Sequence, residues 1–203
     1  PFGTGNALTH ALGYRGGIEA VAARIASGRE QACDLIDCDG RTKAFMVSLG
    51  LDGTAIRLYE GYKQKGYRGL NAHLRAALRA VFRAYEPASG RIALDGRVRR
   101  VKGLYSLMAV KQPYFGMGLQ VMPRARWGDG LLHTRTLASG VAGLSLGLLT
   151  GFTVGNRVGA YRRGHTLSAS FDTALDLQVD GEVGWRGDRF TFRVLPGVLR
   201  LRC

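Results

Sequence analysis

The chain has 203 residues, of which 46% are hydrophobic and 22% are charged, as in an ordinary globular domain. The formal net charge of +14 at pH 7 is far from ordinary. It indicates an anionic partner, such as nucleic acid, a negatively charged membrane or a phosphate-bearing ligand. The three cysteines are too few and too irregularly spaced for a disulfide framework, and neither they nor the four histidines form a zinc motif. We therefore expect reduced, buried thiols in a cytoplasmic protein.

The first part of the chain predicts helices around one hairpin. Residues 5–13 and 17–28 have helical periodicity, and the Asp39-Gly40 pair predicts a hairpin within residues 31–51. Residues 54–62 and 69–85 return to helix. The last of these helices carries an apolar stripe of Leu70, Leu74, Leu78, Val81, Phe82 and Tyr85.

A second face of that helix carries Arg75, Arg79 and Arg83 at four-residue intervals. Such a face is either simply solvated or held against anionic lipid headgroups, and Lys63, Lys65 and Arg68 just upstream would extend it. The sequence leaves both interpretations open.

Beyond residue 90 the pattern is mostly strand and turn. Turns are predicted at Asp95-Gly96, at Asp180-Gly181 and at Arg186-Gly187-Asp188. Helices early in the chain and antiparallel strands late in it predict an α+β domain with a β-sandwich body.

Residues 136–156 contain no charged side chain, and Gly143, Gly147 and Gly151 recur at four-residue spacing, as in some transmembrane helices. Several Ser, Thr and Gly residues lower the hydrophobicity of this segment. We therefore favour a packed or surface-lying helix over a membrane span.

Four segments, taken in order, resemble the diacylglycerol kinase catalytic family, which includes bacterial lipid kinases and sphingosine kinases. They are "PFGTGNALTHALG", "DLIDCDGRTKAFMVSLGLDG", "GMGLQVMPRARWGDGLLHTR" and "LQVDGEVGWRGDRFTFRVLPGVLRLR". Each segment alone is a weak signal. Their order and their coverage of nearly the whole chain make the resemblance specific.

The resemblance implies the β-sandwich-like C-terminal domain of the NAD kinase/diacylglycerol kinase-like fold, with helices in the N-terminal third. Residues 1–30 would then be the end of an ATP-cleft loop and helices that lead to an N-terminal domain, and residues 31–203 a lipid-substrate domain. In the family that N-terminal domain carries a Gly-Gly-Asp-Gly-Thr nucleotide loop. The "GLDGT" of residues 50–54 comes too late in the chain to be that loop, so these residues alone are expected to be inactive.

The resemblance also assigns the catalytic and nucleotide-binding residues. Gly3, Thr4, Gly5 and Asn6 would contact ATP phosphates at a helix N-terminus; a purely structural N-cap is the alternative. Glu182 takes the position of the proton acceptor for the lipid hydroxyl, with Asp180 beside it. A polar hairpin tip without catalytic function is the alternative for this pair.

A magnesium site is implied at Asp129, with the backbone carbonyls of Arg126 and Leu131 completing the oxygen ligands. An Asp-Gly turn without a metal is the alternative. The chain also departs from the family pattern: Ala7 follows the first loop, and Lys111-Gln112 stands where many members have Gly-Asn. These departures leave the choice of substrate open.

The function implied is an ATP- and Mg²⁺-dependent lipid kinase acting on diacylglycerol or a related lipid. The alternatives are a sphingoid-base kinase, an NAD kinase-like enzyme, or a non-enzymatic basic module that binds lipid or nucleic acid. We expect a cytoplasmic protein peripherally associated with an anionic membrane, whose partners are its lipid substrate and the missing N-terminal domain. Nucleic acid is not an expected partner, and a homodimer is left open. An apolar slot near Phe115 and Trp127 would hold acyl chains.

Overall fold

The computed structural model describes residues 7–14, 16–67, 69–116 and 118–202, and the first elements in this part of the chain are two helices. These are α1 (Ala7–Leu12) and α2 (Ile18–Ser27), both where the sequence predicts them. No residue of α2 is buried, and Ile18 is 71% exposed. The apolar side chains of α2 therefore contribute nothing to the core.

Three strands and two helices follow. They are β1 (Glu30–Cys38), β2 (Thr42–Ala44), β3 (Met46–Gly50), α3 (Leu51–Gln64) and α4 (Gly69–Arg79). The predicted hairpin is confirmed, because β1 and β2 pair antiparallel around Asp39 and Gly40, which both have positive φ. One π-helical turn, Ala80–Ala84, continues α4.

Helix α4 and the π-helical turn that continues it bury small residues and expose large ones. Ala72, Ala76 and Ala80 are fully buried on the side that packs on α3. The stripe of Leu74, Leu78 and Phe82 is about half exposed or more, and the three arginines of the basic face are exposed as well. Alanines allow two helices to approach closely, so the leucines remain at the surface.

The rest of the chain is mainly strand. Its elements are β4 (Ala88–Leu94), β5 (Arg97–Leu104), β6 (Ser106–Val110), β7 (Leu132–Leu137), α5 (Gly140–Thr153), β8 (Ala160–Gly164), β9 (Thr166–Val179) and β10 (Glu182–Arg202).

The ten strands form one antiparallel sheet in the order β2-β1-β10-β9-β3-β6-β7-β8, with β4 joining β9 and β5 joining β4. The first half of β9 pairs with β4 and its second half with β3. Side chains from nearly all strands meet in one core cluster, including Leu49, Leu107, Leu177, Phe190 and Phe192. The sheet must curve around these residues, and the α+β, sandwich-like prediction is confirmed.

The predicted turn at Arg186-Gly187-Asp188 is wrong, because these residues lie inside β10. The pairing of β10 with β9 shifts register between Val183 and Arg186 and again between Gly187 and Arg189. The glycine therefore marks irregularities within a long strand, where a β-bulge bends the chain without ending it.

Helix α5 is a packed, surface-lying helix, as predicted. Gly143, Gly147 and Gly151 are buried, and a Cβ added at Gly151 would press against Leu119. The large residues Leu149 and Phe152 are exposed instead. None of the helices in the described part of the chain is both long enough and apolar enough to cross a bilayer.

Candidate active site

The two acidic residues singled out by the sequence lie at the tip of the β9–β10 hairpin. Strand β9 ends at Val179 and β10 begins at Glu182, and these two residues pair across the turn. Asp180 and Gly181 form the turn with φ of 51° and 91°. Positive φ at both positions gives the tight two-residue turn that aspartate and glycine tolerate best.

The carboxylate of Asp180 is bound to the backbone. Its Oδ1 accepts hydrogen bonds from Met46 N (2.8 Å) and Phe45 N (3.1 Å), while Asp180 N donates to Met46 O (2.9 Å). Restricted access of water raises the pKa of Asp180 to about 6; the two N–H groups oppose this rise and the charge of Glu182 adds to it. Asp180 thus clamps the hairpin tip to the start of β3.

The same clamp recurs at two other Asp-Gly turns. Asp39 has φ of 53° and its Oδ1 accepts a bond from Thr191 N at 2.6 Å. Asp95 has φ of 48° and its Oδ1 accepts a bond from Thr166 N at 2.8 Å. A carboxylate in this position is therefore a device for holding a hairpin tip against another strand, and catalysis is not needed to explain it.

Glu182 differs from its counterparts at the other two tips. The residue two positions after the turn aspartate is Arg41 in the first hairpin and Arg97 in the second. Glu182 is exposed. The hydrogen bond to Glu60 raises the pKa of Lys63, and the nearby charge of Glu182 raises it further. Glu182 is thus a solvent-accessible carboxylate on a rigid tip.

A pocket of about 190 Å³ lies beside this tip. Val183 and Trp185, which follow Glu182 in β10, form part of its apolar wall. Arg57 and Arg186 also line it; their guanidinium groups lie 2.9 and 3.7 Å from the carboxylate of the buried Asp176. The remaining lining residues are Asp176, Leu177 and Gly184. The pocket combines apolar surface with positive charge.

A buried polar network supports the tip from behind. Gln178 Oε1 accepts a hydrogen bond from Gly181 N (2.7 Å), and Gln178 Nε2 donates to Ser48 Oγ (3.0 Å). Asp52, in the first turn of α3, accepts hydrogen bonds from Ser48 and Ser106. Burial raises the pKa of Asp52 to about 6, against the lowering effect of both serines. The network links α3 to the acidic turn.

Two of the three residues predicted to bind magnesium, Asp129 and Leu131, are brought together, but around a lysine ammonium. Lys111 Nζ lies 2.8 Å from Asp129 Oδ1, donates to the carbonyl oxygen of Leu131, and lies 2.9 Å from Asp34 Oδ2. Arg126 is exposed beside this cluster. Its backbone nitrogen lies 3.4 Å from the ring of His133.

The electrostatics of this lysine cluster are those of a closed ion-pair network. Burial works to raise the pKa of Asp129, but the Lys111 ammonium and the Leu131 N–H bring it below its usual value. Burial lowers the pKa of His133, against the opposing effect of Asp129. His133 bonds Asp129 at 2.8 Å and the hydroxyl of Tyr161 at 2.8 Å.

A divalent cation does not fit between these oxygens, because the Lys111 ammonium already lies among them. In the described part of the chain, no group of three or more His, Cys, Asp or Glu side chains could hold a metal ion.

Residues 45–203 match the family model described as the YegS C-terminal NAD kinase beta sandwich-like domain. The chain belongs to this family. The matched range includes the acidic hairpin, the pocket beside it and Lys111, whereas α1, α2 and β1 lie before it. No curated protein matches the chain significantly.

Solved structures show the same fold as this YegS-type domain. A crystal structure named as a diacylglycerol kinase from Bacillus anthracis str. Sterne aligns with a TM-score of 0.77 at 17% identity, covering 100% of this chain and 67% of that one. Two further structures from the same organism, provisionally named diacylglycerol kinase, align with TM-scores of 0.77 and 0.72 at 17% and 18% identity. They cover 100% and 98% of this chain. The chain spans about two thirds of their length, 67% and 66%.

Two further sequence predictions concern the nucleotide-loop residues and the acyl slot. Gly3, Thr4, Gly5 and Asn6 lie outside the described residues, immediately before α1. Phe115 packs against a small cluster of buried residues that includes Met122, whereas Trp127 makes a T-shaped contact with Phe45. Neither aromatic residue lines the pocket beside the hairpin, nor a second cavity of about 320 Å³ lined by residues of β4, β5, β7 and β8. The acyl slot near them stays a prediction.

Sequence reasoning missed the residues that support the tip. Gln178 and Ser48 are fully buried although they are polar, and each interrupts an apolar run, "LDLQV" and "FMVSLGL". A polar residue at an inward-facing strand position must find a hydrogen-bond partner, so the interruption is a usable signal. The identity of the partner is not visible in the sequence.

Proposed function

We propose that this YegS-type domain is the lipid-facing part of an ATP-dependent kinase that phosphorylates a hydroxyl group of diacylglycerol or a related lipid. The observation that carries the proposal is Glu182, an exposed carboxylate on a clamped hairpin tip beside a pocket of mixed apolar and basic character. Membership of the family and the names of the structural neighbours support it.

In the proposed mechanism Glu182 accepts the proton of the lipid hydroxyl as the phosphoryl group is transferred. Phosphoryl transfer depends mainly on positioning and on charge stabilisation, so a rigidly placed base is the main requirement on this side of the site. Asp180 is a positioning residue, because its clamp to Met46 sets the place of Glu182. Lys63, Arg57 and Arg186 provide positive charge around the acceptor.

The nucleotide side of the site is part of the same proposal. ATP, with its bound Mg²⁺, would be held by Gly3, Thr4, Gly5 and Asn6 together with a nucleotide-loop domain ahead of these residues. Magnesium would supply charge neutralisation at the phosphates of the nucleotide.

The membrane contact is proposed on α4 and the π-helical turn that continues it. Its exposed surface combines the apolar stripe of Leu74, Leu78 and Phe82 with the basic face of Arg75, Arg79 and Arg83. Apolar side chains flanked by arginines are typical of helices that lie in the interface of an anionic bilayer. The net charge of +14 has the sign that this partner requires.

The decisive experiment is a phosphorylation assay with labelled ATP and Mg²⁺ on the protein including a nucleotide-loop domain ahead of residue 1. Diacylglycerol and sphingosine in detergent micelles, and NAD in solution, are offered side by side. Phosphorylation of diacylglycerol is the expected result. Phosphorylation of sphingosine alone, or of NAD alone, would show that the enzyme acts on that substrate class instead of on diacylglycerol. No transfer, with tight RNA binding that falls steeply with salt, would make the domain a basic binding module.

Glu182→Gln is expected to lower the turnover number in this assay by on the order of 10²-fold or more, because the amide cannot accept the proton. Asp180→Asn is the matched variant. Asparagine tolerates positive φ and its Oδ1 can still accept the bond from Met46 N, so most of the turnover should remain. Near-normal turnover of Glu182→Gln would remove Glu182 from the mechanism.

A further inference from the structure

The side chain of Lys111 is completely buried among oxygen atoms. Its relative exposure is 0%, and its ammonium contacts the carboxylates of Asp34 and Asp129 and the backbone carbonyl of Leu131. Two carboxylates and a carbonyl facing one point form the kind of ligand set that hard cations prefer. In this chain the cation at that point is supplied by the protein.

The oxygens around Lys111 are held in place by bonds from distant parts of the chain. Asp34 accepts from Gly130 N at 2.8 Å and from Gly197 N at 2.9 Å. Asp129 accepts from Leu131 N at 3.2 Å. Asp34 N donates to Trp127 O at 2.6 Å. The cluster therefore joins β1, the loop before β7 and the distal half of β10 around one positive charge.

The dimensions of the cluster match an ammonium group and not a metal ion. Lys111 Nζ lies 2.8 and 2.9 Å from the carboxylate oxygens of Asp129 and Asp34. Magnesium binds oxygen at about 2.0–2.1 Å and calcium at about 2.3–2.6 Å. A divalent ion placed beside the buried ammonium would also be strongly repelled, since the interior screens charge poorly.

We propose that Lys111 is a built-in substitute for the divalent cation that the lipid-kinase resemblance implies at Asp129, Arg126 and Leu131. The site takes no magnesium, and the loop around Asp129 keeps its conformation without any metal supply. This inference stands on the geometry of Lys111 alone, so it survives if the proposed kinase activity fails.

The test uses Mn²⁺ as a paramagnetic probe on the 203-residue chain. His133 is bonded to Asp129, so an ion bound at Asp129 would broaden the NMR signals of the His133 ring. In the wild type these signals should keep their width, and neither Mg²⁺ nor EDTA should move the Tm. In Lys111→Ala, which leaves both carboxylates and the carbonyl facing an emptied space, Mn²⁺ should broaden them. Saturating Mg²⁺ should raise the Tm of this variant by about 5 °C or more.

The control is Lys111→Ala combined with Asp129→Asn, which should lose both responses. Broadening of the His133 signals in the wild type, reversed by Mg²⁺, would overturn the proposal. So would a folded Lys111→Ala variant that binds no Mn²⁺. If Lys111→Ala does not fold, the wild-type titration decides by itself: unchanged His133 signals support the proposal, and broadened signals refute it.

Discussion

At the scale of single residues, the aspartate of three Asp-Gly pairs has two structural roles: it forms a hairpin turn, and its carboxylate holds that turn to another strand. The sequence predicts the turns, because aspartate and glycine tolerate positive φ. It does not show that the carboxylates of Asp39, Asp95 and Asp180 each reach the backbone of another strand. Because the same contact occurs at all three turns, the aspartate has a structural role in each. Glu182 is different, because the other two hairpins have arginine at the equivalent position.

Asp52 allows a prediction about pH. Its pKa is raised to about 6 by burial, from an ordinary value of about 3.9. A raised carboxyl pKa contributes stability that is complete at pH 4 and below and is lost as the pH rises through 6. Two units correspond to roughly 3 kcal/mol. Asparagine at position 52 has no proton to lose. The free energy of unfolding of Asp52→Asn, relative to that of the wild type, should therefore increase by up to about 3 kcal/mol between pH 4 and pH 7.

The measurement is the free energy of unfolding in urea at pH 4, 5, 6 and 7 for both proteins. Other titrating groups cancel in the difference between the two. A difference that stays constant across this pH range would show that the carboxyl of Asp52 titrates normally in the folded protein.

At the scale of elements, the helices pack through their smallest side chains. Ala72 and Ala76 of α4, Ala80 of the π-helical turn after it, and the three glycines of α5 are buried. The exposed side chains on these elements include Leu74 and Leu78 of α4 and Leu146, Leu148 and Leu149 of α5. Helical periodicity predicts that these segments are helices. It does not predict which face is covered, because that depends on the shape of the neighbouring element.

Helix α3 offers a matched pair of glycines for testing this close packing. A Cβ at Gly53 would collide with the backbone carbonyl of Asp176 in β9, whereas nothing lies within 4 Å of a Cβ at Gly61. Gly53→Ala should cost about 1–3 kcal/mol through overpacking. Gly61→Ala should be neutral or stabilising by up to about 1 kcal/mol, since alanine favours the helix.

Chemical denaturation of the two alanine variants and the wild type checks this prediction. Equal stability of Gly53→Ala and Gly61→Ala would mean that Gly53 of α3 does not lie against the Asp176 carbonyl of β9. The comparison also bears on Arg57, because α3 carries it to Asp176 in the pocket beside the hairpin.

At the scale of the whole molecule, the excess of positive charge predicts attraction to an anionic membrane. Changing Arg75, Arg79 and Arg83 together to Gln should weaken partitioning onto phosphatidylserine vesicles by on the order of 10²-fold at low salt, at about 1 kcal/mol for each basic residue. The effect should shrink as salt is added.

The control is a second triple variant, which removes three positive charges from the sheet instead of from the helix. Arg91, Arg189 and Arg193 are exposed on β4 and β10, and their change to Gln should leave partitioning nearly unaltered. Vesicle sedimentation measures both variants. Equal weakening by the two triple variants would show that binding depends on net charge alone. No weakening by either variant would show that α4 is a solvated surface that does not contact the membrane.

The sequence by itself determined the helices, the Asp-Gly hairpins, the α+β class and the family, because these follow from local propensity, short periodicities and ordered motifs. It also brought Asp180 and Glu182 to one tip, since only Gly181 separates them. Only the tertiary structure decided that Asp180 clamps β3, that Gln178 and Asp52 support the turn, and that Lys111 lies among the oxygens predicted to bind a metal. Each of these depends on contacts between segments far apart in the chain. Local sequence does not encode such contacts separately, because they arise only when the strands have paired and the core has closed.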